Sequence, residues 1–479
     1  MADESKTYDL VVIGAGPAGI TASTAAGNFK KTVALVDIHR EIGGAGINTG
    51  TVPSKTLRET ALAFSGFKSR NLYGVDLSLR REVTVPDFLR HEEQVRDGFH
   101  ASLRDRLKSE RADVYWGAAT LTDSHTVHVQ LFSDQDGKQV SAGEIELHAG
   151  KILIGTGSSP LRPAIYPFDG GEIYDSDTIL HLDRIPKVMG IIGAGVIGSE
   201  YGCTFCALGS EVHIIDGRDT LLPFLDGEVS RALTNTLTKS GITFHWKEKV
   251  VKCETLPDRS VKLSLSSGKE MTFDALLVAA GRQSNTAGLG LEKVGVKLGE
   301  RGLILVDEHF QTNIEGIYAA GDVIGFPALA STSIEQARRA VRHALGMPGS
   351  KLSPLLPNGI YTIPEVSMIG ETEESLQKQK VDYVVGRADY WGSARGRIIG
   401  DSDGFLKLLY RRSDLKLLGV HVMGELATEV VHIGLIAMMC NASAELFVDA
   451  CLNTPTLGML YKTATLNALQ QVAANGKPV

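Results

Sequence analysis

The sequence predicts an α/β chain with two open, parallel-sheet units of the Rossmann type and a smaller α+β unit at its C-terminal end. Three observations carry that prediction. A strand, glycine turn and helix occur in succession near the start and again in the middle of the chain. Each copy ends on an aspartate 23 residues after its first glycine. A stretch rich in Gly, Pro and Ser, 346–357, then sets off the last segment.

The first copy opens with the apolar run Tyr8-Asp9-Leu10-Val11-Val12-Ile13, which reads as a buried strand. Gly14-Ala15-Gly16-Pro17-Ala18-Gly19 follows, then a small-residue helix over 20–27 and a second strand over 32–36 that ends at Asp37. This is a β-α-β unit. In the middle, a strand over 187–192 runs into Gly193-Ala194-Gly195-Val196-Ile197-Gly198, a helix from Ser199 to Leu208, and a strand over 211–215 that ends at Asp216. Between the copies the sequence predicts a polar helix over 87–110, alternating strands over 120–147, and a separate strand over 151–158 that closes on Gly155-Thr156-Gly157. Later come strands over 261–265 and 275–279, a short strand leading into Gly321-Asp322, and a helix over 333–345. The last segment mixes strands (405–410, 417–422) with helices (428–439, 457–471). The expected domains are 1–154 and 282–346 as two parts of one unit, 155–281 as the second, and 347–479 as the third.

Composition narrows the function. The chain has 479 residues, 43% hydrophobic and 22% charged, the balance of an ordinary globular protein. A net charge of -7 argues against a nucleic-acid partner, which needs a basic face. No apolar run is long enough for a membrane span, and the polar N-terminus does not resemble a secretory signal. The expected compartment is the cytoplasm. Five scattered cysteines do not form a disulfide framework. Cys203 and Cys206, one turn apart on a predicted helix, read as small packed side chains.

The glycine turns carry the chemistry. A pyrophosphate needs backbone N–H donors at close range, and a helix N-terminus offers them with a favourable partial charge. Gly14 and Gly193 permit the tight turn, Gly16 and Gly195 let the main chain approach the phosphates, and Gly19 and Gly198 let helix and strand pack closely. Asp37 and Asp216 stand where a ribose hydroxyl donates. Each turn follows a strand and opens a helix, the context the fingerprint requires. The first unit adds the loop Gly43-Gly44-Ala45-Gly46, leading to Thr51-Val52-Pro53-Ser54-Lys55, and the late carboxylate Asp322. Both suit FAD. Asp216 favours NAD(H), while Arg218 can offset its repulsion of a 2′-phosphate, which leaves NADP(H) open. Two dinucleotide-binding domains of this kind point to hydride transfer between a nicotinamide and a flavin.

The order of these motifs resembles the pyridine nucleotide-disulfide oxidoreductases. The resemblance runs through Gly14 to Gly19, Gly43-Gly44 with Pro53-Ser54-Lys55, Ile154 to Gly157, Gly193 to Glu200, Ala280-Gly281-Arg282 and Gly321-Asp322. It implies that Ala118, Thr156, Gly157, Gly281 and Ala330 also touch cofactor. It further implies a C-terminal α+β dimerisation domain and a homodimer, with higher assembly open, in which Pro455-Thr456 approaches the partner's flavin. Two departures stand out. Gly46 and Thr51 replace the redox cysteine pair of the family, and Thr454 and Met459 replace its His and Glu. Disulfide reduction is therefore excluded as the main reaction. The sequence is most similar to the soluble FAD-dependent transhydrogenase branch, in Gly50 to Arg58, Gly359 to Glu365 and Val431 to Gly434. That branch generally keeps the first cysteine where this chain has Gly46.

The resemblance implies a ping-pong exchange in which Lys55, paired with Glu200, tunes the flavin; a purely structural ion pair is the alternative. Thr51 either hydrogen-bonds the flavin or caps its helix. His421 and His432 read as core or interface histidines. Two other activities stay open: a dehydrogenase that passes electrons from NAD(P)H to a quinone or oxygen, and a non-catalytic FAD/NAD-binding sensor. No metal ligand set is expected.

Overall fold

The computed structural model describes residues 5–65, 83–168, 171–349 and 351–474. Its first sheet is built on β1 (Ser5–Ile13), followed by α1 (Pro17–Asn28) and β2 (Val33–Asp37). Next come the short α2 (Gly44–Ile47), α3 (Thr51–Phe64) and α4 (Val85–Ser109). The strands β3 (Ala112–Leu121), β4 (Thr126–Gln135) and β5 (Lys138–Ile154) complete the run. β1 lies between β2 and β5 and is parallel to both, and Ile317–Ala319 returns from far along the chain to pair with the end of β5. Val11, Leu35, Val36, Ile152 and Ile154 are fully buried, because both faces of this parallel core are covered: Leu35 lies under helices, and the other four pack against β3, β4 and the segment 289–304. Each such side chain contributes about 1.5–3 kcal/mol of burial. On one face Ala18, Ala22 and Ala26 of α1 meet Ala337, Ala340 and Val341 of the helix Ala330–Ala344.

The strand expected over 151–158 is not a separate element. It is the end of β5, a single 17-residue strand. β5 pairs antiparallel with β4 over 138–148, then parallel with β1 over 146–154. The polar stretch around Gly150 reads as a break in the sequence, yet the strand crosses it while changing partners. β3 does the same, pairing with β2 through 112–116 and with β4 through 117–121.

The second sheet repeats the plan. Val188–Ile192 is central, between Glu211–Asp216 and Ala275–Val278, with Ile242–Trp246 and Ile173–Tyr174 at the edges, all parallel. α5 (Val196–Ala207) starts directly after Gly195, three residues before the expected start, as α1 starts directly after Gly16. α6 (Gly227–Lys239) was not anticipated. Its Asp226 cap accepts from the Glu228 N–H at 3.1 Å, and Val229, Leu233 and Leu237 form its buried face. The third unit is a five-stranded antiparallel sheet with the strand order Asn358–Ile360, Val366–Gly370, Leu417–Met423, Phe405–Arg411, Tyr383–Asp389. The helices Ala427–Met439 and Met459–Ala474 back it, and Tyr390, Tyr410 and Tyr461 are fully buried at its centre. Among the described residues no helix is long and apolar enough to cross a membrane.

Candidate dinucleotide sites and the interdomain junction

Both glycine turns lie at the carboxyl ends of their parallel strands, where an open α/β sheet presents its binding crevice. Gly14 and Gly193 have φ of +101° and +103°. A Cβ on Gly19 would fall 1.7 Å from the Gly14 carbonyl, and one on Gly198 1.9 Å from that of Gly193, so neither turn tolerates a side chain there. α1 and α5 begin after Gly16 and Gly195 with no side chain capping their first N–H groups, which stay available to a phosphate. The two acids act alike toward the turns. Asp37 accepts from the Ala15 N–H at 2.5 Å, and Asp216 accepts from the Ala194 N–H at 2.7 Å.

The first turn is flanked by the further elements that the sequence singled out. The loop after Asp37 folds back onto the glycine turn, with the Gly43 N–H donating to the Ala15 carbonyl at 2.8 Å. A Cβ on Gly44 would come 2.7 Å from the Gly16 Cα, so the loop packs on the turn at a distance that only bare backbone allows. The α4 side chains brace this loop: His100 Nε2 lies 2.7 Å from Asn48 Oδ1, and Arg104 pairs with Glu41. Burial pushes the His100 pKa down. The Thr156 hydroxyl donates to the Asn285 carbonyl at 2.8 Å, and Asn285 Nδ2 returns a bond to the Thr156 carbonyl at 3.0 Å. Gly157 and Gly281 take positive φ, +70° and +107°. Asp322 Oδ2 accepts from the Ser158 hydroxyl at 2.8 Å, and Ala330 opens its helix. Ala118 sits mid-strand in β3 opposite Gln130. The side-chain-free turn of Gly14, Gly16 and Gly44, the uncapped helix start and the carboxylate Asp322 fit a long dinucleotide with a polyol arm.

Lys55 and Glu200 meet as expected from the sequence. Lys55 Nζ on α3 lies 2.6 Å from Glu200 Oε2 on α5, and Glu200 is almost fully buried. The structure adds partners that the sequence did not reveal. Glu200 Oε1 accepts from the Tyr361 N–H at 2.9 Å, and the Lys55 ammonium stands 4.9 Å from the centre of the Tyr361 ring. One turn along α3, buried Arg58 donates to the Thr362 carbonyl at 3.1 Å and approaches Glu365 at 3.5 Å. Glu365 in turn accepts from the Thr428 hydroxyl at 2.8 Å. All three units thus converge on α3. The segment 359–365 was noted only for its resemblance, and its contacts span some 160 to 300 residues of sequence.

The absent thiols have a steric counterpart. Gly46 packs on Pro17: a Cβ at 46 would come 2.7 Å from the proline Cγ. Thr51 is exposed and is the first residue of α3. Gly50 occupies the cap position, so the expectation that Thr51 caps the helix is corrected. Thr454 is exposed, and Met459 begins the last long helix. All five cysteines are free, and burial pushes the Cys203 thiol up to about 12, as suits an inert packed side chain. His421 is fully buried, with Nε2 2.9 Å from the Glu371 carbonyl, whereas His432 is exposed.

Asp226, Glu228 and Glu373 form the one cluster of acidic groups among the described residues that is spaced for a metal ion. Lys407, fully buried, already places its ammonium there, 2.8 Å from Asp226 and 3.0 Å from Glu228, and pairs with Glu373. No sequence motif announces this cluster, which joins α6 to the third unit.

The profile of the pyridine nucleotide-disulphide oxidoreductases matches residues 8–344, and that of the dimerisation domain of the same proteins matches 356–465. A soluble pyridine nucleotide transhydrogenase of Mycobacterium bovis is 43% identical over 469 residues, 98% of each chain. One from Marinomonas is 38% identical over 471 residues, covering 98% of this chain and 99% of the other. Among solved structures, LpdA from Mycobacterium tuberculosis superposes with a TM-score of 0.86 at 25% identity, over 95% of this chain and 99% of that one. The flavoprotein disulfide reductase RclA of Escherichia coli gives 0.85 at 25% identity, over 96% and 99%. The chain belongs to the pyridine nucleotide-disulphide oxidoreductase family.

Proposed function

We propose that two copies of this chain form a cytoplasmic, FAD-dependent pyridine nucleotide transhydrogenase that exchanges reducing equivalents between NADPH or NADH and NAD(P)+. The observation that carries this reading is the Lys55–Glu200 junction, present while positions 46 and 51 hold no thiol. The names of the relatives support it. When bound, FAD supplies a two-electron relay between one nicotinamide and the next.

The residues of this chain do the rest. Gly14, Gly16, Gly19, Gly43 and Gly44 provide a side-chain-free turn for the first dinucleotide, with Asp37, Ala118, Thr156, Gly157, Asp322 and Ala330 along its length. Gly193, Gly195, Gly198 and Asp216 receive the second beside Arg218 and Gly281. Lys55 supplies a fixed positive charge that favours the more negative, reduced cofactor, and Glu200 holds that charge in place. Thr51 stands exposed at the start of α3, where it can donate to the cofactor. With no thiol at 46 or 51, electrons have no onward path through a protein disulfide. The units are assigned as 1–154 with 282–346, 155–281, and 347–479.

The test mixes the FAD-loaded protein with NADPH and thio-NAD+ under argon, without quinone. Thio-NADH forming at the rate of flavin turnover is expected. Reduced flavin that persists until a quinone is added makes the chain a dehydrogenase with another acceptor, and flavin that neither nucleotide bleaches makes it a binding protein.

A further inference from the structure

The two glycine turns are near copies, and their acids differ in one respect. Asp37 accepts from two backbone N–H groups, Ala15 at 2.5 Å and His39 at 2.7 Å. Asp216 accepts from the equivalent pair, Ala194 at 2.7 Å and Arg218 at 2.8 Å, and also chelates the Arg218 side chain. Arg218 Nε lies 2.9 Å from one carboxylate oxygen and its terminal nitrogen 2.6 Å from the other. Burial pushes the Asp216 carboxyl up, but the guanidinium and the two N–H groups outweigh it and hold the carboxyl at about 2. Asp216 is therefore ionised, buried, and bonded at all of the roughly four acceptor sites a carboxylate offers.

Two consequences follow. The charge that would repel a 2′-phosphate carries its own counter-ion. The guanidinium also keeps donors to spare: of about five N–H groups, Asp216 takes two, and the Arg218 side chain is 46% exposed. A second cation lies alongside. The stem of the exposed Lys249 crosses Gly217, within 3.6 Å of where a Cβ would stand on this residue between Asp216 and Arg218. Two backbone bonds fix that placement, from the Glu248 N–H to the Asp216 carbonyl at 3.1 Å and from the Lys247 N–H to the Arg218 carbonyl at 2.9 Å.

We infer that Asp216, Arg218 and Lys249 together let one pocket accept both NAD(H) and NADP(H). A 2′-phosphate takes the spare Arg218 donors and the Lys249 ammonium. A 2′-hydroxyl donates to Asp216 once one guanidinium bond opens. Each nucleotide uses one partner of the pair and is compensated for the other, so the preference stays near balance. This inference rests on the proposed reading that the nicotinamide dinucleotide binds at Gly193–Gly198.

The test compares three variants, Arg218→Gln, Asp216→Asn and Lys249→Gln, with the FAD-loaded wild type. Anaerobic flavin reduction gives kcat/KM for NADPH and for NADH, and calorimetry gives the affinities of 2′,5′-ADP and 5′-ADP. In Arg218→Gln the NADPH-to-NADH ratio should fall about tenfold, the scale of one lost charge-assisted contact. In Asp216→Asn it should rise by about the same factor, since a free guanidinium then faces the phosphate. Lys249→Gln, an exposed site where folding is not at stake, should lower the ratio about threefold and flatten its salt dependence. The two ADP ligands should follow the same directions. A ratio that moves the same way in Arg218→Gln and Asp216→Asn, or stays within about threefold in both, overturns the inference. That outcome is distinct from failure of the transhydrogenase reading, in which the wild type itself passes no electrons to thio-NAD+.

Discussion

Glu200 Oε2 stands 2.6 Å from Lys55 Nζ although 145 residues separate them, and the other Glu200 oxygen is fixed by the Tyr361 N–H. The ammonium therefore cannot follow solvent freely; its position is set by all three units. Lys55→Met keeps the length of the side chain and removes the charge. Glu200, 7% exposed at its side chain, is left without a cation, at a cost of about 1–3 kcal/mol because Lys55 is partly solvated. The expected result is an FAD-loaded protein whose flavin is reduced at least roughly tenfold more slowly, equivalent to about 1.4 kcal/mol of barrier. Full FAD content with an unchanged reduction rate and flavin potential would leave the pair a purely structural contact.

Restoring the missing thiol should not restore disulfide chemistry. A Cβ at position 46 meets the Pro17 ring at 2.7 Å, and Pro17 opens the helix whose N-terminus is proposed to receive the first dinucleotide. Gly46→Cys should lower stability by about 1–3 kcal/mol, the usual cost of overpacking, and weaken FAD retention. Pro17→Ala in the same chain removes the obstructing ring atoms and should recover part of that loss, a coupling that a double-mutant cycle measures. Thermal melts and FAD content of the four proteins decide the matter; additive effects would show that the contact is not what excludes a side chain at 46.

Lys407 tests how the nucleotide-binding unit is held against the third unit. In Lys407→Met the carboxylates of Asp226, Glu228 and Glu373 face one another with no ammonium between them. Breaking a buried ion cluster from one side costs about 3–5 kcal/mol. The pH dependence has a definite sign. In the wild type, Lys407 is raised by its carboxylate partners against the opposing effect of burial, so its contribution is present below the ordinary lysine value and lost above the raised one. Asp226 is lowered by His421 and Lys407 against burial, so its contribution is present above the ordinary aspartate value and lost as pH falls through the lowered one. The variant reverses the second term: with Lys407 gone only the half-exposed Arg387, on Glu228, still faces the cluster, so the crowded carboxylates are raised and stability grows as pH falls. The difference in Tm between wild type and variant should shrink from about pH 8 to about pH 5. A difference that widens over that range contradicts the account.

What could be read in the sequence was local. Gly14 to Asp37 and Gly193 to Asp216 announce strand, turn, helix and acid within some 25 residues, because each glycine answers a steric demand made by near neighbours. Two kinds of feature stayed hidden. β5 changes partners along its length, and a residue pattern read one strand at a time breaks at Gly150 where the backbone does not. Contacts such as Arg58 with Thr362 or Lys407 with Asp226 join residues 304 and 181 positions apart. A lone buried lysine in a strand carries no trace of the three carboxylates that make its burial tolerable. Asp216 lies between the two cases: its presence and that of Arg218 were legible, but not that the arginine already neutralises it.

The last prediction concerns the dimer. On the helix Ala427–Met439, Ile433, Ile436 and Met439 are 38%, 59% and 54% exposed, an apolar face left uncovered by the described residues. It lies in the segment matched by the dimerisation domain, so a second copy is its expected cover. Ile436→Lys places a charge where the exposed side chain is largest. A charge desolvated in an apolar interface without a partner costs several kcal/mol, enough to split a dimer at micromolar concentration. Sedimentation should show the variant as a monomer that retains its fold. Transhydrogenation should fall with dimer content and not independently of it, because the Pro455-Thr456 segment of each subunit is expected beside the partner's flavin. A variant that stays dimeric would place the interface on another face of the third unit. A monomer with full activity would show that each subunit completes its own site.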